Sequence, residues 1–241
     1  MIKHKFYLGI VLVFLVSIQF VTTSCAINSH VGNGHVVKEE RDISGFNSIS
    51  ASAGLNIYLT QSDEEQLTVE ADENLMDYII TEVRGNELKC TVDGNIYRSS
   101  KLNVYVSYSL LNSISVSSGA DIETENVLRS NEIIINASSG ADADLLVESE
   151  TISCQSSSGA NIKLKGLCEQ FNANSSSGAD IKAADLSSKS AEVVASSAGD
   201  IRISVSERIS ANASSGGDIV FYGSPKNINI DESSGGDVKQ Y

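Results

Sequence analysis

The chain has 241 residues with 41% apolar side chains, 18 glycines, one proline and no tryptophan, and its formal net charge is −14. An excess of 31 acidic over 17 basic residues makes nucleic acid and anionic membrane surfaces poor partners. Four cysteines and three histidines without a CxxC or Cys/His cluster give no indication of zinc.

Lys3, His4 and Lys5 open the chain, and an apolar run from Phe6 to Val21 follows with Ser17 and Gln19 as its clearly polar members. This pattern predicts a signal peptide over residues 1–24. A membrane span would need about 20 apolar residues. Thr22-Thr23-Ser24-Cys25 resembles the lipobox of bacterial lipoproteins, which implies acylation of Cys25 and attachment to a membrane through that lipid. Cleavage after Ala26 by the ordinary signal peptidase is the alternative. Residues 25–30 then serve as a tether. Loss of the leader removes Lys3 and Lys5 and takes the net charge from −14 to −16. With Cys25 lipidated, Cys90, Cys154 and Cys168 remain, and an odd set cannot all pair within the chain.

Residues 31–241 read as one folded domain, of which 31–111 form a β cap with the first coils. Ser52-Ala53-Gly54-Leu55-Asn56-Ile57 is an early copy of a motif that recurs later. Leu67 to Ala71 is a strand, and Asn74 to Tyr78 makes one helical turn with Asp72 near its start. Ile79–Arg84 and Glu87–Thr91 form a hairpin around Gly85-Asn86. Leu102, Val104, Val106 and Tyr108 alternate as in a strand with one buried face.

From residue 112 to 241 the chain repeats Ser-Ser-Gly-Ala-Asp-Ile or a close variant. Gly119, Gly140, Gly159, Gly178, Ala198, Gly216 and Gly235 mark the copies at spacings of 21, 19, 19, 20, 18 and 19 residues. A period near 19 residues sustained over seven copies indicates a solenoid. Five residues before each marker stand Ile114, Ile135, Cys154, Ala173, Val193, Ala211 and Ile230, all apolar. Three residues after it stand Ile122, Ala143, Ile162, Ile181, Ile201, Ile219 and Val238, again all apolar. Period-two alternation and the abundance of Ser, Gly, Asn and β-branched residues exclude helices here. The predicted fold is therefore all-β: a right-handed parallel β-helix of about 19 residues per coil behind a less regular N-terminal β cap. Each coil reads as strand, tight bend, strand and a return segment. Cys154 lies in an apolar column and reads as a small core residue. Pro225 and the polar run Lys239-Gln240-Tyr241 oppose further growth of the stack.

Two further columns carry chemistry. The residue before each marker is serine: Ser118, Ser139, Ser158, Ser177, Ser197, Ser215 and Ser234. Strict alternation points these hydroxyls inward, as a ladder at an inside corner that satisfies itself. A row of nucleophiles is disfavoured, because His4, His30 and His35 all lie outside the repeats. Two residues after the marker come Asp121, Asp142, Asn161, Asp180, Asp200, Asp218 and Asp237. These are the candidate binding wall. Gly supplies a positive φ and a neighbouring Asp or Asn bonds its own backbone, so turn chemistry accounts for them as well. A calcium ladder of the nonapeptide kind is rejected by the spacing, and Asn161 interrupts the charge. No metal site, cofactor or catalytic residue is predicted.

Gly32-Asn33-Gly34, Glu40-Arg41-Asp42-Ile43-Ser44-Gly45-Phe46, Gly54-Leu55-Asn56-Ile57-Tyr58-Leu59-Thr60-Gln61 and Leu67-Thr68-Val69-Glu70-Ala71-Asp72-Glu73-Asn74-Leu75 together resemble the "putative auto-transporter adhesin, head GIN domain" family, common in the Bacteroidota. The resemblance runs from about Gly32 to Tyr241. It implies a β-helical fold and an exported, often lipid-anchored protein, and it brings no catalytic residues. No C-terminal autotransporter barrel is expected after these coils. The function expected is thus an exported binding or structural protein of the cell envelope, an adhesin for glycan or envelope protein, facing either the periplasm or the cell surface. The alternative is a carbohydrate-active β-helix enzyme, a polysaccharide lyase or glycoside hydrolase, since paired carboxylates cleave glycosides. Against it, the acids repeat regularly, and Phe171, Phe221 and Tyr222 are scattered among the later coils rather than gathered as a sugar platform.

Overall fold

Alternating apolar residues around a recurrent turn give short strands that cannot bury their inner face alone, so successive coils stack. The computed structural model describes residues 29–241; the leader and Cys25 lie outside the described residues. The described chain is an all-β, right-handed solenoid with coils near 19 residues and a less regular N-terminal region. The regular part runs through β10 (Ser113–Val116), β11 (Asp121–Thr124), β12 (Leu128–Ala137), β13 (Asp142–Ser156), β14 (Asn161–Ser175), β15 (Asp180–Ala195), β16 (Asp200–Ala213), β17 (Asp218–Tyr222), β18 (Asn227–Glu232) and β19 (Asp237–Gln240). All of their mutual pairings are parallel.

The return segment turns out to be strand as well. β13 pairs with β14 from Asp142↔Asn161 through to Ser156↔Ser175, passing the corners without losing the ladder. Pairing around most of the coil satisfies the backbone N–H and C=O groups that a loose connection would leave to water. Departures from the 19-residue period are absorbed away from the glycine turn. The 21-residue coil takes its extra residues between β11 and β12, and β15 slips against its neighbours near Lys163/Lys165 and Ala183/Ser187. The two apolar columns therefore stay in register, and they are buried from Ile114 and Ile122 to Ala211 and Ile219. Cys154 is buried as expected, whereas Ile230 on the last rung is 42% exposed.

The turn departs from strict alternation. The serine before each marker is exposed, not inside, and its φ is left-handed at 49° to 55° in all seven copies. The glycine after it is left-handed too, with φ 68° at Gly119. Two successive positive φ values, with Ala120 N–H donating to Ser117 C=O at 3.2 Å, define a type I′ turn. Such a turn rotates the chain out of its strand phase, so the serine hydroxyl faces solvent. The inside corner is filled by the next residue, Ala120, Ala141, Ala160 and Ala179, then Gly199 and Gly217. A Cβ at Gly199 would lie 2.6 Å from the Ser175 carbonyl carbon, so no side chain fits there. An inward hydroxyl pair does exist two residues earlier, where Ser156 and Ser175 donate to the C=O of Ala160 and Ala179. The markers themselves form one file, because Gly119, Gly140, Gly159, Gly178 and Ala198 each donate N–H to the serine C=O of the following coil at 3.1–3.2 Å.

At the N-terminal end the stack begins with β3 (Ser48–Ala51) and β4 (Asn56–Gln61), which pair in parallel with β10 and β11. Beyond them lie β7 (Glu87–Val92) and β9 (Leu102–Tyr108), parallel to β3 and β4. Antiparallel strands then close the edge. β6 (Ile79–Arg84) hairpins onto β7, while β5 (Gln66–Asp72) and β2 (Val36–Arg41) layer onto β9. A small pair of β1 (Ser29–Val31) and β8 (Asn95–Arg98) lies outside this sheet, and the predicted helical turn is a 3-10 turn over Glu73–Tyr78. Arg41 ties β2 to that turn through the C=O groups of Met76 and Ile79.

Asp72 is the fully buried carboxylate of this cap. It accepts N–H bonds from Gly34 and Ser100, each at 2.6 Å, and so holds two loops to the end of β5. Burial opposes its ionisation, but the Ser100 and Gly34 donors outweigh burial and hold its carboxyl below the usual aspartate range. Its stabilising contribution is thus complete above the ordinary aspartate value of about 3.9 and fades as pH falls through the lower folded value. Asp72→Ala, which removes the shared acceptor of two part-buried N–H groups, is expected to cost about 1–3 kcal/mol in all at neutral pH. Urea melts of wild type and variant at neutral pH and near pH 3 check this: the gap should narrow in acid, and equal stability at neutral pH would refute the assignment.

Candidate functional site: an outward wall of stacked side chains

The strand after each turn presents alternate residues outward, and parallel register turns each outward position into a file. The predicted acidic column is such a file and is longer than the repeats suggested. It runs Asn103, Asn56, Asp121, Asp142, Asn161, Asp180, Asp200, Asp218, Asp237, nine rungs in unbroken register; Asn103 at the cap end is buried and donates to Glu70, and the other eight reach solvent. The turn closes through backbone bonds, and the side chains of this file reach sideways instead. Asn161 donates to Asp142 across one coil at 2.8 Å, and Asp180 pairs with Lys182 at 3.1 Å. Carboxylates one rung apart repel, and the effect is visible in two of them. Burial first, and Asp142 second, push the Asp121 carboxyl up. Burial again, then Asp180 and Asp218, do the same to Asp200.

Two residues further along lies a second file: Tyr105, Tyr58, Glu123, Asp144, Lys163, Lys182, Arg202, Val220, Lys239. It grades the wall along its length. Near the cap Tyr58 and Tyr105 stack with ring centroids 5.0 Å apart, and the Lys38 ammonium sits 5.4 Å over Tyr105. The next two rungs hold four carboxylates, Asp121, Glu123, Asp142 and Asp144, which with Asn56 and Tyr58 line a recess of about 250 Å³. Beyond it the cations begin: Lys163 reaches Asp144 at 2.5 Å, and that hydrogen bond and charge push the Lys163 ammonium up. Over the later coils the acidic file thus runs beside a basic one. The sequence reading found the first file and missed the second, including the tyrosine pair. Tyr58 was accessible as the fourth residue after the early marker Gly54. Tyr105 was not, because nothing local assigns β9 to β4.

Among the described residues no group of three or more His, Cys, Asp or Glu has the arrangement of a metal site. Cys90, Cys154 and Cys168 are buried free thiols; burial pushes Cys90 and Cys168 up to about 12.

The described chain is thus a right-handed β-solenoid whose N-terminal end is capped by antiparallel strands. The family model "Putative auto-transporter adhesin, head GIN domain" matches residues 45–225, and the chain belongs to that family. Solved structures share the fold. A "putative adhesin" from Bacteroides fragilis gives a TM-score of 0.81 at 24% identity, covering 86% of this chain and 97% of that one. A "putative lipid binding protein" from Parabacteroides distasonis gives 0.72 at 21% identity, covering 88% and 99%. A "putative adhesin" from Parabacteroides merdae gives 0.72 at 18% identity, with the same coverage of 88% and 99%. At such identities the likeness is one of fold. No curated protein matches the chain.

Gly178 and Asp180 separate what the turn needs from what the wall presents. At Gly178 φ is +69° and a Cβ would meet nothing within 4 Å, so Gly178→Val suffers from backbone strain alone. That strain is expected to cost about 1–3 kcal/mol. Asp180→Asn loses one half-exposed ion pair and relieves repulsion on Asp200, for a net change of about 0–1 kcal/mol. Thermal melts with calcium and with chelator should give the same order of stabilities. A calcium-dependent rise abolished by Asp180→Asn would instead make the acidic file a cation site.

Proposed function

We propose that this protein is an exported, non-catalytic binding module of the cell envelope, held to a membrane through lipid on Cys25, and that it adheres to a glycan or an envelope protein. The observation that carries the reading is the wall: nine rungs of polar side chains in unbroken register on a rigid sheet. A ladder of equivalent groups meets an extended ligand at many points, whereas catalysis needs a few groups with distinct environments. The family description, which names an adhesin, and the leader pattern ahead of Cys25 support the same reading. The domain is taken as residues 31–241, with 31–111 as cap and first coils and 112–241 as regular coils.

Two measurements test it. Wild type should partition with the membrane fraction and carry lipid by mass spectrometry, and Cys25→Ala should move it to the soluble fraction. A lipid-free wild type would establish ordinary signal-peptide cleavage. Purified residues 26–241 should be retained by a subset of a glycan array or by isolated envelopes without altering them. Release of reducing ends or unsaturated sugars from any polysaccharide would overturn the non-catalytic reading in favour of the lyase or hydrolase.

A further inference from the structure

The return wall differs from the wall just described. Its outward column Arg129, Glu148, Leu167, Ser187, Ser204, Tyr222 crosses six rungs in register, and no residue type recurs along it except serine. Along this column runs a groove. Its wider part, about 810 Å³, has an aliphatic floor of Leu110, Ile134 and Leu167. These side chains are 43%, 44% and 55% exposed, and Leu167 is the most exposed leucine among the described residues. A second recess of about 390 Å³ continues it, sharing Leu167 and Glu169 and ending at Val205 and Tyr222. Single exposed aliphatics are ordinary on protein surfaces. Here three converge in one depression on a wall that is otherwise polar.

The rim is acidic. Glu148 is bound to Arg129 at 2.9 Å and Glu169 to Lys189 at 2.6 Å, so those charges are answered within the protein. Glu132 and Glu150 line the same groove, and neither makes an ion pair among the described residues. From these contacts we infer that the groove binds an extended polypeptide segment carrying alternating apolar and basic residues. The aliphatic floor takes its apolar side chains, and Glu132 and Glu150 take its ammonium or guanidinium groups. Five rung spacings of about 4.8 Å make the groove roughly 24 Å long, which matches about seven extended residues at ~3.3 Å each. A neutral glycan brings hydroxyl donors but no charge to these carboxylates, and it finds only Tyr222 in the lining as a ring to stack on. A lipid chain would have to lie against those same carboxylates in an open groove. The inference rests on the binding-module reading and gives it a ligand class.

The test uses fluorescein-labelled heptapeptides with purified residues 26–241 at about 150 mM salt, where screening acts beyond ~8 Å and suppresses diffuse attraction to an acidic protein. The probe alternates lysine and leucine; its counterpart alternates glutamate and leucine. The lysine peptide should bind in anisotropy titrations and the glutamate peptide should not. Leu167→Ser and the double variant Glu132→Gln/Glu150→Gln should each weaken binding at least about ten-fold, while Asp63→Asn in the β4–β5 loop, outside both walls, leaves it unchanged. All substituted side chains are exposed, and thermal melts confirm that each variant folds. Failure of the lysine peptide to bind, equal binding of both peptides, or indifference to the groove variants overturns the proposal. So does competition by chito-oligosaccharide or phosphatidylcholine vesicles that is itself lost in Leu167→Ser, since it would assign the groove to a sugar or a lipid. Should the peptide fail while envelope retention and Cys25-dependent fractionation hold, the groove assignment falls and the binding-module reading stands.

Discussion

Every feature of the stack depends on a two-residue turn in which serine and glycine are both left-handed. A left-handed non-glycine residue is uncommon because its Cβ crowds the backbone. The chain accepts that strain once per coil, at Ser118 and its equivalents, and twice where Ala198 follows Ser197. The compensation is visible in the hydrogen bonds. The marker N–H reaches the serine C=O of the next coil, so a turn that would otherwise expose its polar groups is built into the ladder. With the turn fixed, the strands on either side inherit one register. The apolar columns, the inside corner of Ala and Gly, and the outward files all follow from it. The column of small residues after the marker is the steric partner of that geometry: at Gly199 and Gly217 the neighbouring coil's backbone occupies the space a Cβ would need.

A solenoid also has ends, where unpaired strand edges invite aggregation. This chain closes its N-terminal end with strands of opposite direction, β2 and β5 over β9 and β6 over β7. Antiparallel layers cannot continue the coil's path, so the stack stops there. Holding such layers to a parallel end requires specific polar fasteners. Asp72 and Arg41 supply them, with short bonds to backbone groups of segments distant in sequence.

What the sequence disclosed and what it hid follow from the range over which each feature is encoded. The two apolar columns are local: each can be read at a fixed offset from a marker, and both are buried except on the last rung, where Ile230 is exposed and Val238 half-buried. The serine column is local too, yet alternation puts it inside and it lies outside. Alternation assumes extended backbone, and two left-handed residues break the count within the turn. The return segment carries no strand signal at a fixed offset from the markers, although its backbone pairs as strand. The tyrosine pair required pairing Asn56 with Asn103 across the intervening β5–β8 excursion, which no periodicity signals. The groove was illegible for a similar reason. Leu110, Ile134 and Leu167 occupy different offsets in their coils, and only the folded corner brings them together.

This division bears on where recognition resides in the molecule. Residues that repeat in every coil, the serine, the glycine and the small residue after it, are fixed by the turn and would be the same whatever the ligand. The wall beside the turn is half constrained. Its first file stays Asp or Asn, while its second changes from aromatic to acidic to basic along the stack. On the return wall no column is held by the turn, so its side chains are free to differ from rung to rung. That freedom is what allows an aliphatic floor, two ion pairs and two unanswered carboxylates to occur in one place. A repeated scaffold therefore supplies stiffness, and discrimination between ligands falls to the positions the repeat leaves unspecified. By that argument the motif that identifies the fold carries the least information about what the protein binds.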